Sequence, residues 1–124
     1  MQYRNAASPN EVIALLRLLQ KGQALSMPSK VLLQQFLIET GTGPNRIKGL
    51  LPAGTVVAHK TGTSQTVNGL TRATNDVGIV TLPDGRHMAV AIFVADSTAD
   101  VRVRENVIAR ITRAAWDHWA EKSQ

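Results

Sequence analysis

The chain has 124 residues, enough for one modest domain with its own core, and 44% of them are hydrophobic, as in an ordinary globular protein. No apolar run approaches the roughly 20 residues of a membrane span, so no membrane partner is expected; Met1-Gln2-Tyr3-Arg4-Asn5 lacks the apolar core of a signal peptide. The absence of cysteine excludes disulfides and thiolate metal sites, and three scattered histidines without H-x-x-x-H spacing offer no metal site either, so no metal or other cofactor is expected. The net charge of +5 raises the question of a nucleic-acid partner. Its arginines do not form a block: Arg102, Arg104, Arg110 and Arg113 alternate with Asp100, Glu105 and Asp117, the pattern of a solvated helix face. No nucleic-acid partner is expected.

Residues 1–7 are short, polar and irregular. Ser8-Pro9-Asn10-Glu11 is a helix start: Ser8 and Glu11 have the spacing of a reciprocal capping box, and Pro9 fills the first helical position, where its missing N–H costs nothing. Val12, Leu15, Leu16 and Leu19 form the stripe expected to be buried, and Gly22 suits a left-handed stop. Ser26 opens a second helix, with Pro28 in its first turn, Val31, Leu32, Phe36 and Leu37 spaced for burial, and Gly41 at its end. The two helices are expected to form a hairpin. Residues 41–54 follow as a loop rich in glycine and proline, carrying Arg46 and Lys48.

A strand is expected over residues 55–64, then a polar connection over 65–74 with an Asn68-Gly69 turn signal. A second strand covers 75–82. Pro83-Asp84-Gly85-Arg86 makes a hairpin turn, Asp-Gly being favoured where both central residues need positive φ. A third strand, 88–95, is apolar enough to be buried on both faces. Asp96-Ser97-Thr98 caps a last helix over about 99–122, with Val103, Val107, Ile111, Ala114 and Ala115 as its buried face and Trp116 and Trp119 covering the sheet. Helix, helix, three antiparallel strands and a helix make an α+β fold. Such a sheet has a free edge and one face short of cover.

The chemistry is concentrated in His59-Lys60-Thr61-Gly62-Thr63-Ser64. Lysine gives a fixed positive charge, the hydroxyls donate hydrogen bonds, and glycine lets a ligand approach the backbone. These are tools for binding an anion. His59 with Asp76 on the neighbouring strand could be a dyad, but a paired structural histidine is the simpler reading.

With Thr42-Gly43-Pro44-Asn45-Arg46-Ile47-Lys48-Gly49 upstream and Asn75-Asp76-Val77-Gly78 downstream, this stretch resembles the C-terminal part of class A serine β-lactamases, in the extended-spectrum branch with A-H-K-T-G-T-S and T-N-D-V-G. The resemblance runs the length of the chain and covers less than half of such an enzyme. It implies a partial serine β-lactamase or penicillin-binding-protein-like fold, residues 1–54 being the end of the Ω-loop and part of the all-α domain and hinge, and 55–124 the C-terminal part of the α/β sandwich domain. It implies that Lys60 holds the substrate carboxylate region and a proton-shuttling serine, and that Thr61 and Thr63 hydroxyls, with Gly62, meet that carboxylate. The Thr63 backbone N–H would be one oxyanion-hole donor, Ser64 would shape the pocket, and Arg46 would be a second contact to the carboxylate. Thr74 stands where other members carry a strand arginine for that purpose, and Asn5 where most carry an aspartate that closes the Ω-loop.

The three other elements of the family's chemistry, S-x-x-K, S-D-N and the Ω-loop E-x-x-L-N, do not occur in these 124 residues; in Ser26-Met27-Pro28-Ser29-Lys30 the lysine is one position too far. The resemblance therefore implies a partial enzyme that begins inside the Ω-loop and is inactive alone, its partners being a β-lactam and the missing N-terminal part. The parent would be monomeric and periplasmic or secreted. Two other readings stay open on the residues: a piece of a penicillin-binding transpeptidase, and an α+β interaction module in which K-T-G is accidental.

Overall fold

The structure is a computed structural model and describes residues 6–122. The elements are α1 (Pro9–Gln20), α2 (Met27–Glu39), β1 (Val57–Thr63), β2 (Thr66–Val67), β3 (Leu70–Thr81), β4 (His87–Ser97) and α3 (Val101–Glu121). The α+β order expected from the sequence is present. Asn5 lies outside the described residues.

The central strand is β3. It pairs antiparallel with β1 and the two-residue β2 along one side and with β4 along the other. It begins at Leu70, five positions before the expected start. The polar connection is in fact a second hairpin: Asn68 (φ 50°) and Gly69 (φ 77°) both take left-handed conformations, the demand of a two-residue turn. The turn before β4 is built differently from the expectation. Pro83 cannot adopt positive φ, so only Gly85 (φ 87°) is left-handed, and the turn closes through Gly85 N–H to Leu82 O and Leu82 N–H to Arg86 O.

Alternation along the strands assigns two faces. Val57, Val80, Met88, Val90 and Ile92 point to one side and meet Ile47 and Ile108, forming the main core under α3. Ala58 and Ile79 point to the other side, where α1 brings Leu16 and Leu19 against β4 and β3. Thus β4 is buried on one face and half-covered on the other, rather than enclosed on both.

The helix caps follow the sequence closely. Ser8 and Glu11 make the reciprocal pair, Glu11 N–H to Ser8 Oγ at 3.2 Å and Ser8 N–H to Glu11 Oε2 at 2.7 Å. Those bonds hold the Glu11 carboxyl below the ordinary glutamate range. The left-handed stop at Gly22 (φ 71°) is present. In α3 the cap is Asp100, not residues 96–98, its carboxylate accepting from Val103 N–H.

The apolar stripes depart from expectation. Leu15 is exposed; in α2, Val31, Leu32 and Phe36 (58% exposed) face solvent and only Leu37 is partly covered. The α2 helix lies along β1 while α1 rests on β4 and β3, the two being tied by Lys30 Nζ to Gln20 O at 2.7 Å. The buried face of α3 is shifted by one position: Arg104, Ile108 and Thr112 point inward, with Ala115 and Trp116 packed beside them, while Val103 (51% exposed), Val107 and Ile111 lie outside. One residue is a 100° rotation, so two apolar stripes coexist on this helix and the sheet takes only one. Arg104, read from sequence as part of a solvated face, is buried instead.

Two outcomes are expected. Gly78 lies under the imidazole of His59, and a Cβ there would sit 2.3 Å from Ala58 O and 2.7 Å from His59 Cβ. Gly78→Ala should lower the denaturation midpoint by an amount equivalent to about 1–3 kcal/mol, read by urea unfolding. For the α1 cap, Glu11 stabilises the helix while ionised, so its contribution is present above the ordinary glutamate range and lost as pH falls through its lowered pKa. The Ser8 amide resonance should titrate with that transition and stay flat in Glu11→Gln.

Candidate active site

Among the described residues β1 pairs only with β3, which leaves its other edge free of strand partners there. The register and two flanking bonds, Ser64 N–H to Ala73 O and Thr81 N–H to Val56 O, fix which residues bond inward. In an antiparallel ladder these alternate, so even-numbered positions bond β3. Val57, His59, Thr61 and Thr63 therefore turn their N–H and C=O groups to the open edge. The Thr63 N–H is an outward donor, at the position singled out from the sequence. Lys60 Nζ donates to the outward Thr61 carbonyl at 2.6 Å, which brings the ammonium to the same edge.

Side chains of β1 divide between the faces. Lys60, Gly62 and Ser64 belong to the α1 side, and Thr61 and Thr63 to the side of the 41–54 loop. Ser64 Oγ accepts from Ala73 N–H at 3.0 Å. Gly62 has no atom within 4 Å of where a Cβ would lie, so the space above it is open. On the loop side, Thr61 Oγ1 and Thr42 Oγ1 are 3.0 Å apart. This close approach depends on Gly43 (φ 59°), where a Cβ would fall 2.4 Å from the Thr61 methyl.

Arg46 is 5% exposed and reaches the K-T-G stretch. Its Nη1 donates to Asn75 O at 2.8 Å and Gly62 O at 3.3 Å, and its Nη2 to Thr63 Oγ1 at 2.6 Å. The Glu105 carboxylate stands 3.8 Å from its Nε, an ion pair too long to be a hydrogen bond. Arg46 thus holds two strand carbonyls as well as the Thr63 hydroxyl. Thr74 is fully buried beside it in the sheet, directly across from Thr63.

Beneath this layer, His59 and Asp76 are both fully buried and paired, with Nδ1 2.9 Å from each carboxylate oxygen. Asp76 Oδ2 also accepts from the Ile47 N–H at 3.1 Å. The pair is structural in position: it lies inside the fold, away from the open edge. The residues the sequence did not single out are Thr42, Gly43 and Glu105. The glycine in Thr42-Gly43-Pro44 was the available signal for a tight approach, whereas Glu105 is paired across 59 positions and left no local trace.

The assembled set is an edge donor, an ammonium, two hydroxyls and a guanidinium around one strand end. It can receive a carboxylate and, at Thr63 N–H, a carbonyl oxygen that gains negative charge.

Comparison with known proteins gives the family. A profile of the beta-lactamase enzyme family matches residues 1–119. The chain is 48% identical over 122 residues to the extended-spectrum beta-lactamase PER-1 of Pseudomonas aeruginosa, covering 98% of this chain and 40% of that one. It is 42% identical over 123 residues to beta-lactamase VEB-1 of the same organism, covering 98% and 41%. The crystal structure of the TLA-3 extended-spectrum beta-lactamase superposes with a TM-score of 0.94 at 50% identity, covering 97% of this chain and 44% of that one. The chain therefore spans about 40% of the length of the curated relatives it matches. It belongs to the beta-lactamase enzyme family.

Proposed function

We propose that this chain is the C-terminal portion of a serine β-lactamase, and that the whole protein hydrolyses the β-lactam amide through an acyl-enzyme, giving antibiotic resistance. The observation that carries the reading is the open edge of β1, where Thr63 N–H faces outward between Lys60 and an Arg46 held 2.6 Å from Thr63 Oγ1. A serine oxygen from the complementary part of the enzyme attacks the lactam carbonyl. The carbonyl oxygen takes up the charge and is met by the Thr63 N–H, which stabilises it by a few kcal/mol. The C–N bond then breaks, the ring nitrogen takes a proton, and water cleaves the ester.

In this reading Lys60 attracts the substrate carboxylate and orders a shuttling serine. The hydroxyls of Thr61 and Thr63 bind that carboxylate, Gly62 leaves the approach open, and Ser64 shapes the pocket. Arg46 adds charge from below. Residues 1–54 belong with the all-α domain and hinge, and 55–124 with the sandwich domain. The whole enzyme acts as a monomer in the periplasm or as a secreted protein.

The complementary N-terminal part is the expected partner. The exposed faces of α2 (Val31, Leu32, Phe36) and α3 (Val103, Val107, Ile111) and the outer edge of β4 support this, since they are apolar or unpaired and need cover. The purified chain should aggregate readily and should not turn over a chromogenic cephalosporin. Adding the N-terminal part should restore turnover. Turnover by the chain alone, abolished in Lys60→Ala, would place the nucleophile within these residues and overturn the reading.

In the assembled enzyme, Arg46→Ala should act mainly by raising KM, because a ground-state carboxylate contact is lost. The expected cost is about 1–3 kcal/mol in kcat/KM. Unchanged kinetics would reduce Arg46 to its bonds with Asn75 and Gly62.

A further inference from the structure

The buried pair under the site is hydrogen-bonded to the loop that carries Arg46. We infer that His59 and Asp76 are positioning residues: they clamp the 41–54 loop to the sheet so that the Arg46 guanidinium is fixed at the Thr63 end of β1. This inference rests on the anion-binding reading of that edge.

Three observations carry it. First, Asp76 uses Oδ2 twice, for His59 Nδ1 on β1 and for Ile47 N–H on the loop, so one carboxylate joins the strand that holds Lys60 to the residue beside Arg46. Second, β1 and β3 approach each other closely at His59. Gly78 is the cross-strand partner of His59, and a Cβ there would collide with His59 Cβ and Cα. Third, the guanidinium's own hydrogen bonds are only part-buried, whereas the junction at Asp76 is fully buried. The Arg46 Nη bonds reach Asn75 O in the middle of β3 and Gly62 O and Thr63 Oγ1 at the end of β1, while Glu105 stands at 3.8 Å without a hydrogen bond. Ile47 is itself fully buried in the core, so the bond from its N–H fixes the direction in which the preceding arginine leaves the loop. A carboxylate with a backbone N–H and an imidazole as partners is a rigid three-way junction, and such supporting shells set the geometry of the groups above them.

The test separates the hydrogen bond from the ring. Asparagine at 59 can present its amide N–H where the imidazole Nδ1 stands, so His59→Asn keeps the bond to Asp76, whereas His59→Ala removes it. The first readout is the Arg46 side chain, isotope-labelled in the chain joined to its N-terminal part, without ligand. Wild type and His59→Asn should show separate, slowly exchanging Arg46 Nη protons and a protected Ile47 amide. In His59→Ala the Nη protons should average and Ile47 exchange should accelerate at least tenfold, with the β3–β4 amides unchanged. The second readout is kinetic, in the chain joined to its N-terminal part. His59→Ala should raise KM about tenfold with kcat within about twofold, and His59→Asn should restore most of it.

A His59→Ala chain with wild-type Arg46 signals overturns the inference, as does equal loss in both variants with the sheet amides intact. Should His59→Ala fail to fold, Asp76→Asn takes its place: it leaves one oxygen where His59 and Ile47 N–H share a carboxylate, so the Arg46 Nη protons should again average, and wild-type Arg46 signals would overturn the inference. An intact Arg46 signature in an assembled protein that does not hydrolyse β-lactams supports the clamp and counts only against the hydrolase reading.

Discussion

The fold depends on β3 having partners on both sides. Its 12 residues pair with β1 and β2 along one edge and β4 along the other, so its backbone groups have partners on both edges over most of its length and its side chains feed both packing layers. β1, β4, the core beneath α3 and the α1 layer are all placed relative to this strand. Asp76 sits in its middle, on the face toward the 41–54 loop, and reaches that loop through Ile47. A single buried carboxylate on the central strand thus connects secondary structure that the sheet's ladder alone would leave separate. Losing it would strand the Ile47 N–H without a partner, which is more costly than losing a bond at the surface.

Local signals in the sequence were enough for the order of the longer elements and most of the caps, while the two-residue β2 was not among the three expected strands. Ser8 and Glu11, Gly22, and the Asn68-Gly69 pair encode backbone geometry within four residues, and each appears in the structure as the chemistry of those residues demands. The α3 cap is the exception. Asp96, Ser97 and Asp100 are all plausible caps, and register in β4, which runs to Ser97, decides for Asp100. The start of β3 was hidden for a similar reason: Leu70 to Thr74 is polar enough to read as a connection, and only pairing with β2 and β4 makes it strand.

Burial was less legible, because it depends on what lies opposite. Val103, Val107 and Ile111 are as apolar as any core stripe, yet the sheet meets Ile108 and Thr112 instead. The same holds for Phe36 and Leu32 on α2. An apolar periodicity says that a face is made for contact; it does not say which partner provides it. For the site, the K-T-G stretch and Arg46 could be found from residue type, and their convergence at Thr63 is a tertiary fact. Glu105 and the Ile47 bond to Asp76 were beyond reach, since each joins residues far apart in sequence through one interaction.

The alternation in β1 has an evolutionary consequence. The outward groups of Thr61 and Thr63 are main-chain atoms, while the side chains of Val57 and His59 on the same positions of the repeat are locked into the core. Side-chain replacement along the strand leaves the outward N–H and C=O in place, with proline the exception. Among the even positions, Gly62 answers to neither the main core nor the edge, while the Lys60 ammonium returns to the edge at Thr61 O. Replacement at Gly62 can therefore change the space above the strand without touching its outward N–H and C=O groups. Conserved backbone polarity and variable side-chain selectivity are encoded in the same seven residues, and drift in one need not disturb the other.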